Sequence, residues 1–264
     1  MNIAVYSGSF NPLHIGHLAI MKYLTGEGGF DCVYLIVSPK NPLKEGISSA
    51  SGTDRYNAAI ALDRDCTLKV SYKLRLVVGV EKMPYMNLLK PLERLIVDLG
   101  GTTGQLGTDK YRRTFLLRSP RHPYGLSVAA PICYESVYGD HFGAFTADGA
   151  QIVMVITNDG WWHDTPGYRQ HFSYSRLRAI ETRRWVCRAA NTGISGFINP
   201  KGQVVKTLGW DKRGTLTQPV TPSREVTFYA KAGDYLGRIG TYLFILSVLY
   251  FVSYRVRKRN HLVK

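Results

Sequence analysis

The chain has 264 residues, enough for one large hydrophobic core or two small ones, and its 45% apolar and 12% aromatic content excludes a disordered polymer. Its 34 lysines and arginines against 19 acids leave a formal charge of +15, which asks for an anionic partner: nucleic acid, acidic lipid headgroups or phosphorylated substrates. The four cysteines, Cys32, Cys66, Cys133 and Cys187, form no C-x-x-C pair, so no metal centre, disulfide framework or cofactor is expected.

The N-terminus begins with an alternating, β-rich run over 2–6. A turn follows at Ser7-Gly8-Ser9-Phe10-Asn11-Pro12, then a predicted helix over 14–24 and a second strand over 32–37. This reads as a β-α-β unit, not as a secretion signal. At the loop-helix junction G-S-F-N-P-L-H-I-G-H, His14 and His17 are three apart and share a face of the helix start, a place suited to phosphate. The string resembles the H-x-G-H motif of nucleotidyltransferases, in detail bacterial nicotinate mononucleotide adenylyltransferase, and S-P-K-N-P-L-K-E at 38–45 continues the likeness. The resemblance covers about residues 1–50 and implies nucleotide binding by Gly8, His14 and His17. The family's later I-S-S-T-x-x-R-type element and its base-recognition region have no counterpart, so nucleotidyl transfer is the alternative reading.

Residues 45–53 are small, polar and loop-like, and the character of the chain changes after them. Short strands are predicted over 56–62 and 67–72, then a segment S-Y-K-L-R-L-V-V-G-V-E over 71–81 with Lys73 and Glu81, and a helix over 88–99. The glycine-rich loop over 100–107 lacks the spacing of a phosphate-binding loop. Next, the apolar run 126–132 stops at Cys133, with Glu135 two residues on. A strand ending at a thiol delivers a nucleophile onto a turn, where cationic or hydrogen-bonding neighbours must favour the thiolate. The bland alternative for a single cysteine is a small buried apolar residue. Farther along come a continuous apolar strand over 151–157, a polar turn N-D-G-W-W over 158–162, and a helix over 171–188. That helix has a charged face of Arg176, Arg178, Glu181, Arg183 and Arg184, and two strands follow within 189–202. The alternation predicts a layered α/β domain.

The stretches Y-K-L-R-L-V-V-G-V-E-x-x-P, P-I-C-Y-E-S and N-D-G-W-W, with L-R-A-I-E-T-R-R at 177–184 and A-N-T-G-I-S at 190–195, resemble the carbon-nitrogen hydrolase (nitrilase) superfamily. More narrowly they are similar to the C-terminal part of apolipoprotein N-acyltransferases. The resemblance spans about residues 53–264. It implies an αββα sandwich, incomplete here, and a Glu-Lys-Cys triad. Cys133 would accept an acyl chain from a phospholipid as a thioester, and Lys73 would stabilise the oxyanion. Glu81 and Glu135 would be the accessory carboxylates that position the lysine. The acyl group would pass to the N-terminal amine of an apolipoprotein's diacylglyceryl cysteine. Asn158, Trp161 and Trp162 would line the substrate site, the tryptophans near a lipid-facing mouth or one of them in the core. The family's general base is an early glutamate. Only Glu27 and Glu45 precede Lys73, neither in a matching context, so turnover is expected to fall by about 10² to 10⁴.

Residues 239–254 carry no charge, and extended back to Tyr235 the run reaches the roughly 20 residues that cross a bilayer. Arg238 near its edge is long enough to snorkel. Aromatic residues at both ends and R-V-R-K-R just beyond fit an interfacial belt and a cytoplasmic basic tail over 255–264. The sequence therefore predicts a membrane partner in preference to nucleic acid. It places a domain over 53–234 in the periplasm, anchored to the bacterial inner membrane by a helix over 235–254. A nucleotidyltransferase-like start belongs in the cytoplasm, and this conflict predicts a fusion or mis-joined frame with its seam between about 45 and 57.

Overall fold

The structure, a computed structural model, describes residues 3–8, 15–29, 32–37, 73–75, 111–119 and 122–262. The strands expected at 56–62 and 67–72, the helix at 88–99, the loop at 100–107 and the seam lie outside these. At the N-terminus, β1 (Ile3–Gly8), α1 (Ile15–Thr25) and β2 (Cys32–Val37) form the expected unit, with β1 and β2 parallel. Ser7 and Gly8 belong to the strand and not to the turn, because pairing with Ile36 and Val37 continues through them.

The main sheet has six strands whose spatial order follows the sequence: β3 (Thr114–Ser119), β4 (His122–Ala129), β5 (Ile152–Thr157), β6 (Val186–Ala190), β7 (Ser195–Ile198) and β8 (Val204–Leu208). Strands β4, β5 and β6 are parallel, and antiparallel pairs flank them. Parallel neighbours require crossovers, which α2 (Gly139–Ala147) and α3 (Pro166–Thr182) supply. All six residues of β5 are buried, as the uninterrupted I-V-M-V-I-T predicts for a strand covered on both faces. The core joins Ala129, Val153, Val155, Val186 and Ile198 of the strands to Phe142 and Phe145 of α2 and Phe172 and Ala179 of α3.

Two expectations are corrected here. Helix α3 begins five residues before the expected 171, where the Oγ1 of Thr165 accepts a hydrogen bond from Gly167 N and Pro166 presets the first turn. It ends at Thr182, because Arg183 turns left-handed at φ 52°. The chain then reverses into β6, whose V-C-R-A-A pairs with β5. The second correction concerns charge. Arg178 and Arg184, expected on an exposed face, are 5% and 1% exposed. The buried stripe of α3 runs Tyr168, His171, Phe172, Ser175, Arg178, Ala179 and Thr182, a helical spacing filled largely with polar side chains. Arg184 donates to Ala150 O at 2.9 Å and to Thr182 O and Ser223 Oγ at 3.2 Å, tying the extended segment after β8 to the sheet.

That segment leads to α4 (Phe228–Ala232) and α5 (Tyr235–Leu262). Asp234 Oδ1 caps α5 by accepting from Gly237 N at 2.9 Å, and Arg238 folds back to donate to Ala232 O. Helix α5 continues past the expected residue 254 through the basic run. Its apolar stretch Tyr235–Lys258 is long enough to cross a membrane, and none of it is buried. At 24 residues it is roughly 36 Å long, against about 30 Å of bilayer hydrocarbon.

Candidate active site

The three parallel strands end side by side, each on one of the polar motifs. Past β4, Ile132 bridges Ile156 of β5 and Ile156 N donates to Pro131 O at 3.2 Å, so the segment before Cys133 is stitched to the sheet. Asn158 and Asp159 follow β5, and Asn191, Thr192 and Gly193 follow β6. The carboxyl ends of parallel strands are where open α/β sheets hold ligands.

Cys133 starts a short 3-10 helix, Cys133–Val137, with φ 55°. The left-handed region costs a residue with a Cβ roughly 1–2 kcal/mol, and such strain collects at functional turns. Cys133 is half-buried. Cys187, on β6, is likewise half-buried, and desolvation pushes its thiol up to about 12, away from the thiolate.

Glu135 links the turn to the lysine segment. It is 1% exposed, its Oε2 accepts from Ile132 N at 2.7 Å, and its Oε1 accepts from Leu74 N at 2.5 Å and Arg75 N at 3.1 Å. One carboxylate thus clamps the Cys133 turn to a backbone 61 residues earlier, directly beside Lys73. Burial pushes the Glu135 carboxyl upward, against the pull of those three N–H groups and of the Lys73 charge. His141 Nε2 lies 3.8 Å from Glu135 Oε1, and burial holds this imidazole down at about 4, so it is neutral.

Among the other sequence-predicted residues, Asn158 accepts from Gly160 N at 3.2 Å and from Asn191 Nδ2 at 3.4 Å, so its side chain shapes the turn after β5. Trp162 is half-buried and set edge-on to His171, with ring centroids 5.0 Å apart. Gly8 ends β1 and His17 lies half-buried on α1. Glu81, His14 and the Trp161 side chain fall outside what the structure describes. Among the described residues no cluster of three or more His, Cys, Asp or Glu could hold a metal ion.

The carbon-nitrogen hydrolase family profile matches residues 35–227. The chain belongs to the carbon-nitrogen hydrolase family. Curated relatives include the apolipoprotein N-acyltransferase of Chlorobaculum tepidum, 33% identical over 84% of this chain and 41% of that protein. Those of Gloeobacter violaceus and Bradyrhizobium diazoefficiens are 33% and 35% identical, over 72% and 79% of this chain and 34% and 37% of theirs. The chain therefore spans about two fifths or less of the relatives it matches. An amidase from Nesterenkonia sp. superposes with a TM-score of 0.51 at 15% identity, over 80% of this chain and 86% of that one. That likeness shows the nitrilase-superfamily fold. The nucleotidyltransferase resemblance of residues 1–50 finds no support among these relatives, and the family match already begins at residue 35.

Within this carbon-nitrogen hydrolase domain, sequence reasoning missed Asp159, Ser136, His171 and Arg188, all at most 4% exposed and all in contact with the Cys133 turn or with one another. The N-D-G and N-T-G motifs carried a signal for Asp159. A Cβ on Gly193 would stand 2.2 Å from Asp159 Oδ2, so the second motif needs glycine where the first places its acid. No local pattern marked His171 or Arg188.

Proposed function

We propose that this chain carries the acyl-transferring site of an apolipoprotein N-acyltransferase. The observation that carries the reading is the Glu135 clamp, which joins a strained cysteine turn to the backbone beside Lys73. The Cys133 thiolate attacks an ester carbonyl of a phospholipid, and the Lys73 ammonium offsets the charge on the tetrahedral oxygen. The C–O bond breaks, the lysophospholipid alcohol leaves with a proton, and the acyl chain remains as a thioester. The N-terminal amine of an apolipoprotein's diacylglyceryl cysteine then attacks, the C–S bond breaks, and an amide forms as the thiolate returns and the amine's proton passes to water, replacing the one the leaving alcohol took up. Glu135 holds Lys73 in place, with Glu81 as a further carboxylate, and Trp161, Trp162 and Asn158 bound the acyl and amine pocket.

The exposed apolar helix α5 and the basic residues Arg255, Arg257 and Lys258 support an inner-membrane setting with the domain on the periplasmic side. The names of the curated relatives support an apolipoprotein amine as the acyl acceptor. The test is intact-protein mass after incubating detergent-solubilised protein with phosphatidylethanolamine. A hydroxylamine-sensitive gain of one acyl chain, absent in Cys133→Ala, is expected. Folded protein without an adduct would overturn the reading.

A further inference from the structure

The steps above leave unused a buried charged cluster behind the nucleophile. Asp159 is fully buried at the end of β5. Its Oδ1 accepts from Thr157 Oγ1 at 2.7 Å and faces His171 Nδ1 at 2.9 Å, and its Oδ2 accepts from Arg188 at 2.8 Å. Arg188 is itself fixed by donating to Ser175 Oγ at 3.2 Å and to Ile194 O at 3.3 Å. Arg188 also donates to His171 Nδ1 at 3.0 Å, which leaves the proton of the neutral ring on Nε2, and Nε2 donates to the cysteine turn, 3.3 Å from Cys133 O and 3.2 Å from Ser136 Oγ. Ser136 Oγ donates to the same Cys133 O at 2.8 Å. Trp162 closes over the imidazole.

Most of this arrangement converges on one atom, the main-chain carbonyl of the residue whose φ is left-handed. A strained turn persists only where its surroundings over-determine it. Without such a hold, Cys133 would relax to an ordinary backbone conformation, and its Cα–Cβ bond would swing away from the mouth of the site. The holding groups come from the turn after β5, from α3 and from β6, so the Cys133 turn is referenced to the parallel sheet.

We propose that His171, backed by Asp159, is a positioning residue that pins the Cys133 carbonyl and the Ser136 hydroxyl and thereby aims the thiol. The inference rests on the reading of Cys133 as the nucleophile. Paired amides separate the two ends of the imidazole. Asn at 171 reaches where Nδ1 stands and keeps Asp159 company, but it falls short of the turn. Gln reaches where Nε2 stands and donates to Cys133 O.

The experiment is the second-order rate of Cys133 alkylation by iodoacetamide in the detergent-solubilised full chain, with the site located by peptide mass and Tm measured alongside. His171→Asn is expected to slow alkylation about tenfold and His171→Gln to return it to within about threefold of the parent, as loss and recovery of one hydrogen bond predict. Ser136→Ala, which deletes only a hydroxyl, is expected to slow it severalfold, and it tests the link from the turn's side should the Asn variant fail to fold. Equal rates in the Asn and Gln variants, or a parent-like rate in both His171→Asn and Ser136→Ala, would overturn the proposal. The same samples separate the two readings. The predicted alkylation order without a phosphatidylethanolamine adduct would sink the acyltransferase function and leave the positioning role standing. An adduct without that order would do the reverse.

Discussion

The domain around Cys133 and helix α5 solve opposite solvation problems. The domain buries charge: Glu135, Asp159, Arg184 and Arg188 are all at most 4% exposed, and hydrogen bonds to backbone or side chains hold each of them. Buried charges are tolerable only when so satisfied. Along α5 the fold exposes hydrocarbon instead, with Tyr242, Leu243, Phe244, Leu246, Leu249 and Phe251 each more than half exposed. The first region holds these charges with its own groups. The second is completed only by an apolar surrounding, which a continuous exposed apolar surface of this size requires.

The largest effect should come from deleting α5. Truncation after Asp234 is expected to move the protein from the membrane pellet to the supernatant while leaving Tm within a few degrees, because none of the apolar stretch is buried against the domain. A collapse of Tm would erase the contrast. Next is Glu135→Ala, which strands three N–H groups and should cost about 3 kcal/mol or more by denaturant titration, with loss of any acyl adduct. Gly193→Ala pushes a methyl group into Asp159 and should cost about 1–3 kcal/mol by the same measurement.

A pH series sharpens the comparison further. His141 is neutral in the fold down to about 4, whereas the unfolded chain takes up its proton near 6.5. Its contribution is therefore present above 6.5 and is lost as pH falls from there to about 4. His171, also held down by burial, acts in the same direction. Glu135 opposes both, since a raised carboxyl favours the fold at low pH and loses that contribution as pH rises above its ordinary value. Relative to His141→Phe, the parent should lose Tm on acidification through this window. The smallest effect is Leu243→Gln on α5, expected to change domain stability in detergent by under about 0.5 kcal/mol.

What the sequence made legible follows from whether the signal was local. Strand β5 announced itself as an unbroken apolar run, and Cys133 as the residue on which such a run stops. The end of α3 was illegible because Arg183, a residue with no turn preference, takes the left-handed cap where glycine would have marked it. The apolar and arginine content of 183–188 then let the helix be read too far, although pairing with β5 makes Val186–Ala190 a strand. Arg178 and Arg184 read as part of a charged helix face because arginine at helical spacing normally marks one. Only the fold brings Ala150 O and Ser223 to Arg184, and Asp159 to Arg188. Asp159 and His171 are 12 residues apart with a short helix between them, and no spacing rule joins such a pair.

The φ of 55° at Cys133 has a consequence for how such a chain would age. Glycine is at ease in that conformation, so Cys133→Gly should stabilise the fold by up to about 1 kcal/mol while abolishing acyl capture. Folding and chemistry therefore pull in opposite directions at a single codon. A copy released from the need for its thiol would gain stability by discarding it, and drift at position 133 would run downhill.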